Sequence, residues 1–322
     1  MDRRDFLGNL AALGALGISM EASGTEKVGR AIEALSCREK KSSTLTGLDD
    51  NLVCILSDLH IHPDWHQERF LADIVDRILA LKPRPRHVFC LGDIAYLTGK
   101  PEEYAAAKRH LDKLEEAGIQ LTLTMGNHDR RSTFAEAFPS HAAASLLPDR
   151  YVYKVETPRA DFILLDSLQQ GSDTKTWITE GALDDAQVEW LEAQLSSRTG
   201  GKPVFVMAHH PLDELKSIRK PMLMCPSCRG YIYGHKHVWN PGWIHLNFRD
   251  REMLKTLCVP STGHWGDIGF VTLSMEEDRA VASLHELDFF FPGPCGDGEA
   301  KPALWEEIAK EHQGARCVFP FA

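Results

Sequence analysis

No run of about 18 or more apolar residues occurs in the chain, which excludes an ordinary transmembrane helix. Positive charge is in short supply. Lys and Arg number 36 against 46 Asp and Glu, a net charge of 36 − 46 = −10. Such a chain has no general attraction for a nucleic acid polymer or an anionic membrane. An anionic substrate would have to meet positive charge concentrated locally, and bound metal ions are one way to supply it. There is no internal repeat and no low-complexity tract. The C-x-x-C at Cys225 and Cys228 has no second half, so zinc or redox chemistry has little support there; a structural loop or a local disulfide reads better.

What is present fits a globular α/β protein. The 322 residues are 43% hydrophobic and 25% charged, within reach of one large domain. The opening segment stands apart. Arg3 and Arg4 precede Phe6, Leu7 and a Gly/Ala/Leu stretch, which resembles a twin-arginine export signal over residues 1–22. Export, to a periplasm for example, is the expectation it carries, with a cytoplasmic location as the alternative. Residues 23–50 read as a linker, 51–290 as the main domain and 291–322 as an appendage. Of the eight cysteines, Cys54, Cys90 and Cys258 lie in apolar runs and read as buried thiols; Cys295 and Cys317 could pair if the protein is exported.

From residue 51 strands and helices alternate. "NLVCIL", "RHVFCL" and "IQLTLTM" read as strands, with "ERFLADIVDRILALK" and "PEEYAAAKRHLDKLEEAG" as the helices between them. "YVYKVET", "ADFILLD", "KPVFVMA", "GYIYG" and "KTLCVPS" continue the strands. "DDAQVEWLEAQLSS" is a helix capped by Asp184 or Asp185, and "FVTLSMEEDRAVASLHEL" a terminal hairpin. Five apolar runs deliver metal-competent side chains just past their carboxyl ends: Asp58 and His60, Asp93, Asn127 and His128, His209, and His235 and His237. In open α/β sheets that edge is where sites assemble. Gly92, Gly126 and Gly234 suit tight turns there. Each piece alone is an ordinary turn; the five in order are not.

The succession Asp-x-His, Gly-Asp, Gly-Asn-His-Asp, His and Gly-His-x-His resembles the calcineurin-like metallophosphoesterase superfamily over about residues 51–275. "GNHDRRSTFAEAF", "LLDSL" and "AHHP" are similar to its class III cyclic-nucleotide phosphodiesterase and glycerophosphodiesterase branch. The resemblance implies a four-layer αββα sandwich with two central mixed sheets and a dinuclear metal site at their edge. It implies one ion on Asp58, His60 and His237, a second on Asn127, His209 and His235, and Asp93 between them. The mixed N/O donors suit Mn, Fe or Zn without choosing among them. His128 would act on substrate and Asp129 would orient its neighbours.

The activity implied is metal-dependent phosphoester hydrolysis of a small substrate, with a diester preferred. The alternatives are a phosphomonoesterase related to purple acid phosphatases, whose tyrosine position Tyr96 resembles, and a non-catalytic metal-bound scaffold. Tyr96, Arg130 and His264, with Trp265, are candidates to line the pocket, and Arg131 could add charge if it turned inward. His62 and His66 read as solvent or pocket residues. The sequence leaves homo-oligomerisation open.

Overall fold

The chain opens with parallel strands joined by helices. β1 (Leu48–Leu56), α1 (Gln67–Ala80), β2 (Arg84–Cys90), α2 (Pro101–Glu116) and β3 (Gln120–Leu123) follow one another, with β1–β2 and β2–β3 both parallel. The computed structural model describes residues 47–172, 178–198, 200–245, 253–290, 312 and 314–321. Short helices α3 (Arg131–Ala137) and α4 (Pro139–Ala143) lead to β4 (Tyr153–Glu156) and β5 (Asp161–Leu164). Next come α5 (Asp185–Ser196), β6 (Val204–Met207), a 3-10 turn at Lys216–Ile218, α6 (Arg219–Met224), β7 (Cys228–Tyr233), β8 (Asn240–His245) and β9 (Met253–Cys258). The hairpin of β10 (Gly266–Met275) and β11 (Arg279–Phe290), and then β12 (Arg316–Pro320), complete the order.

The strands form two mixed six-stranded sheets, ordered β12-β11-β10-β1-β2-β3 and β4-β5-β6-β7-β9-β8. Alternation along the strands of the second sheet explains the layering. Phe162, Leu164, Phe205 and Met207 join the core shared with the first sheet, while Ile163, Leu165, Val204 and Val206 join a second core with Leu191, Leu195 and Met222 of the helices. α1 and α2 cover the first sheet, packing Leu71, Ile74, Ile78, Leu111 and Leu114 into its core. The result is the expected αββα sandwich. Local signals behave as read: Asp184 accepts from the Gln187 amide at 3.1 Å and caps α5, and Pro101 opens α2.

Several expectations need correction. β1 begins at Leu48, inside the segment read as linker, because Leu48 is buried and pairs with Arg84. The tail is not merely an appendage: β12 returns antiparallel to β11 and buries Cys317 and Phe319. Five residues beginning with Arg and ending with Pro gave too little pattern to read. β8, α3, α4 and α6 were likewise too short for periodicity to show. Cys225 and Cys228 are buried and not joined in a disulfide, and the same holds for Cys54, Cys90, Cys258 and Cys317. The export signal, most of the linker and Cys295 lie outside the described residues. Among the described residues no helix is long and apolar enough to cross a membrane.

Candidate metal centre

The carboxyl ends of β1, β2, β3, β6 and β7 deliver all seven expected ligands to one edge. Asp58 and His60 follow β1, Asp93 follows β2, Asn127 follows β3, His209 follows β6, and His235 and His237 follow β7. The backbone there is unusual. Asp58, His60, Asp93, His235 and His237 all have positive φ, between 45° and 68°. L residues rarely adopt that conformation, and each instance persists only where its surroundings hold it. Here they do: the Asp58 amide donates to Gly92 O at 3.0 Å and the His60 amide to Asp93 O at 2.8 Å.

The glycines act in two ways. Gly92 has φ +93°. Gly126 and Gly234 are needed for close approach instead: a Cβ on Gly126 would overlap the Asp93 carboxylate, and one on Gly234 would strike Ser57 and Asp58. The tight-turn reading thus fits Gly92, while the other two are demanded by the side chains of Asp93, Ser57 and Asp58 against them.

Three histidines are fixed the same way. Nδ1 of His60 lies 3.1 Å from Tyr96 O, Nδ1 of His209 2.8 Å from Leu91 O, and Nδ1 of His237 3.0 Å from Trp265 O. A carbonyl can only accept, so each Nδ1 carries the proton and each Nε2 presents a lone pair. Those lone pairs converge. His60 Nε2 lies 3.3 Å from His237 Nε2, which lies 3.2 Å from Asp58 Oδ1. His235 uses its other nitrogen: Nδ1 lies 3.0 Å from Asn127 Oδ1 and 3.2 Å from His209 Nε2. Asp93 stands between the two groups, its Oδ2 3.4 Å from His60 Nε2 and 3.2 Å from His209 Nε2.

Acceptors facing acceptors across about 3 Å in a buried site repel unless a cation lies among them. This donor set therefore fits metal ions, and it falls into two sets that share Asp93. The titration of the groups points the same way. Burial alone would raise Asp58 and Asp93, yet the surrounding histidines hold both well below the ordinary carboxylate range. Burial drives His60 down, and drives His235 to about 3, with the charge of His209 adding to the latter. At His209 burial also lowers, but Asp93 and Asp58 outweigh it and bring the ring to about 9. That ring attracts a proton where the geometry calls for a cation.

His128 and Asp129 sit where the opening of the third loop puts them. The His128 amide donates to Asp93 Oδ1 at 2.8 Å, and its ring lies edge-on to His60 at 4.6 Å. Asp129 is buried. Its carboxylate accepts from the amides of Ile94 and Ala95 at 3.1 Å, from Gly126 at 3.0 Å and from the Tyr104 hydroxyl at 3.0 Å. Tyr104 in turn accepts from the Arg130 amide at 2.8 Å. Asp129 therefore ties the loop after β2 to the loop after β3. Burial, then the charge of Asp93, push its carboxyl up to about 7 against the backbone donors. Four donors around two oxygens hold the ionised form, and cations beside Asp93 would remove the opposing charge.

A cleft of about 360 Å³ opens over the cage, lined by His60, Asp93, Asn127, His128, His235 and His237, with Thr179, Lys236, His264 and Trp265 at its mouth. Of the three pocket candidates, His264 lines it. Its ring is driven down to about 3 by burial, then by the charge of His237. Tyr96 contributes its carbonyl, to His60, while its ring packs on Trp65 at 4.6 Å. Arg130 sits against Gly99, whose Cβ would meet the Arg130 backbone. Arg131 does not turn inward: it forms a two-pronged ion pair with buried Asp166, at 2.7 and 2.8 Å. Asp166 belongs to the "LLDSL" stretch, so that stretch holds the catalytic loop in place.

His62 packs on Trp65 at a tilt of 32° and His66 meets Phe70 edge-on. His210 is buried, its Nδ1 2.7 Å from the Ser167 hydroxyl and its Nε2 3.1 Å from Thr179 O. Sequence reasoning missed Thr179 and Lys236. Lys236 had a signal, lying between the two histidines of Gly-His-Lys-His; Thr179 had none.

Comparison with known proteins agrees with this geometry. The family model for calcineurin-like phosphoesterase matches residues 52–239. The glycerophosphodiester phosphodiesterase GpdQ of Enterobacter lignolyticus is 34% identical over 234 residues, covering 66% of this chain and 78% of that protein. A Rhodopseudomonas palustris protein described as a probable cyclic nucleotide phosphodiesterase is 29% identical over 251 residues, covering 70% and 85%. A dimetal phosphatase of Danio rerio shares the fold at a TM-score of 0.60 and 16% identity, covering 84% of this chain and 99% of that one. The chain belongs to the calcineurin-like phosphoesterase family and is a dinuclear metallophosphoesterase, a metal-dependent hydrolase of phosphoric esters.

Proposed function

We propose that the protein hydrolyses small phosphodiesters, of the cyclic-nucleotide or glycerophosphodiester type, at a centre in which Asp58, His60 and His237 hold one ion and Asn127, His209 and His235 the other. The observation that carries this reading is the position of Asp93 Oδ2, 3.4 Å from His60 Nε2 on one side and 3.2 Å from His209 Nε2 on the other. Ions held by these residues would supply charge to neutralise the phosphate and to activate water. Imidazole and carboxylate donors suit Mn, Fe or Zn. His128, on the cleft wall, delivers a proton to the leaving oxygen. Asp129 keeps the loops of Asp93 and Asn127 in register.

The preference for a diester is supported by charge. Two dications against two aspartates and a hydroxide sum to roughly +1, which matches a diester monoanion. Arg131, which would favour a monoester dianion, is committed to Asp166. Lys236 at the mouth lies 3.9 Å from Glu214. The test is kcat/KM for bis-nitrophenyl phosphate against nitrophenyl phosphate at equal metal loading. The diester is expected to lead; a tenfold excess for the monoester, about 1.4 kcal/mol in transition-state binding, would replace this reading with a phosphomonoesterase.

The export reading belongs here too. Arg3 and Arg4 ahead of a Gly-rich apolar stretch support export of the folded chain. A centre gathered from five strands can be loaded before export only if the domain has already folded. Replacing both arginines with lysine should trap the protein in the cytoplasm. A native protein found wholly cytoplasmic with Met1 retained would end that reading.

A further inference from the structure

The cleft has an aromatic side. Trp265 stacks on His237, ring centres 4.5 Å apart at 26°, and is still 39% exposed. Its carbonyl fixes the His237 ring, so the indole is held over the cage by the loop that orients the ligand. Trp265 also lines the cleft. His264, which also lines the cleft, lies 6.4 Å from Trp265 and 5.7 Å from Tyr96. Tyr96 lies 4.6 Å from Trp65, which is 46% exposed. Trp265, His264, Tyr96 and Trp65 thus follow one another edge to face, and of the four Trp265 and His264 line the cleft.

A ligand ring laid on the partly exposed indole of Trp265 would remove apolar area from water. A glycerol group is small, uncharged and well hydrated and gains little from a flat π-surface. A planar heteroaromatic ring gains from stacking and from removing apolar area from water. We propose that Trp265 is a stacking platform for a planar ring on one alcohol of the substrate, so that the substrate class is a nucleoside phosphodiester and not a glycerophosphodiester of an uncharged alcohol. The ring stacks on Trp265 while the phosphate reaches the cage. Lys236 and Thr179, at the same mouth, are placed to meet polar groups of the substrate. The inference rests on the diesterase reading of the cage and decides between its two substrate types.

The experiment uses the metal-loaded full chain and two probes, adenosine cyclic monophosphate and glycerophosphoglycerol, whose second alcohol is uncharged. Trp265→Ala should lower kcat/KM for the cyclic nucleotide at least tenfold more than for the glycerol diester. Trp265→Phe should restore most of the difference, and Trp65→Ala, which leaves the cage untouched, should shift the same ratio less. Equal losses on both substrates would mean that Trp265 acts only through His237, and would overturn the platform. Quenching of tryptophan fluorescence by adenosine monophosphate gives a readout independent of turnover. It should require about tenfold more ligand in Trp265→Ala, with glycerol phosphate showing no such change. If neither diester is hydrolysed by the unaltered protein, the diesterase reading fails; the quenching titration still decides the platform, and an unchanged titration in Trp265→Ala overturns it.

Discussion

The floor and the rim of the cleft are built on different principles. On the floor, His60, His209 and His237 are each fixed through Nδ1 to a backbone carbonyl, and Asp58 and Asp93 accept from backbone amides. At the rim the contacts are ring against ring: Trp265 stacks on His237, His264 packs on His60, and Tyr96 and Trp65 follow edge-on. A side chain bonded to backbone cannot be exchanged without losing its geometry. Rings packed on rings can change identity while the floor stays put. The chemistry is thus written into the strand ends, and the choice of substrate into side chains that are freer to vary.

The sharpest way to break this comparison is at its centre. Asp93→Asn should cost about 10³-fold or more in kcat and at least one metal equivalent, because the remaining neutral oxygen cannot serve both donor sets. Two tightly held metals and full activity in that variant would remove Asp93 from its place. His128→Ala tests whether the wall of the cleft separates from the floor. It should keep both metals while turnover of alkyl diesters falls roughly 10²-fold. Nitrophenyl esters, whose leaving group hardly needs a proton, should lose less. Metal loss as large as in Asp93→Asn would make His128 part of the cage.

Asp129→Asn should be milder, with metal affinity or activity falling about 10- to 100-fold, since the amide nitrogen would face donors from Ile94, Ala95 and Gly126. Affinity and rate at the level of the unaltered protein would show that the two loops hold without it.

The smallest effect sharpens the contrast from outside the cleft. His87, on β2, is buried, and burial, then Arg86, lower its ring to about 4. The unfolded chain binds a proton there near pH 6.5. The neutral folded ring therefore contributes its full stability above that pH, and the contribution is lost as pH falls from about 6.5 toward about 4. At pH 5 the loss is about 2 kcal/mol. His87→Gln should flatten the acid side of a Tm-versus-pH curve relative to the unaltered protein; identical curves would show that His87 is not the source.

Much of the floor was legible in the sequence for a physical reason. Each ligand follows a short apolar run by two to a few residues, so the strand's end fixes where its side chain goes. Asp, His and Asn at five such ends in order leave few other meanings. The rest depends on distances between elements remote in the chain. Nothing in "GNHDRR" reveals that Arg131 pairs with Asp166, 35 residues on. Which nitrogen each histidine presents depends on carbonyls such as Leu91 O, 118 residues from His209. Gly126 and Gly234 looked like turn residues, and only the side chains packed against them show that it is the missing Cβ that matters. β12 escaped because its pairing with β11 comes from across a long intervening segment.

The central claim is that one carboxylate joins two ions. Loading the protein with Mn(II) and recording its low-temperature electron paramagnetic resonance spectrum tests it most directly. The account predicts two ions per chain with the exchange-coupled spectrum of a bridged pair, replaced in Asp93→Asn by the spectrum of isolated Mn(II). A single uncoupled ion per chain in the unaltered protein, or a coupled pair that survives Asp93→Asn, would contradict it.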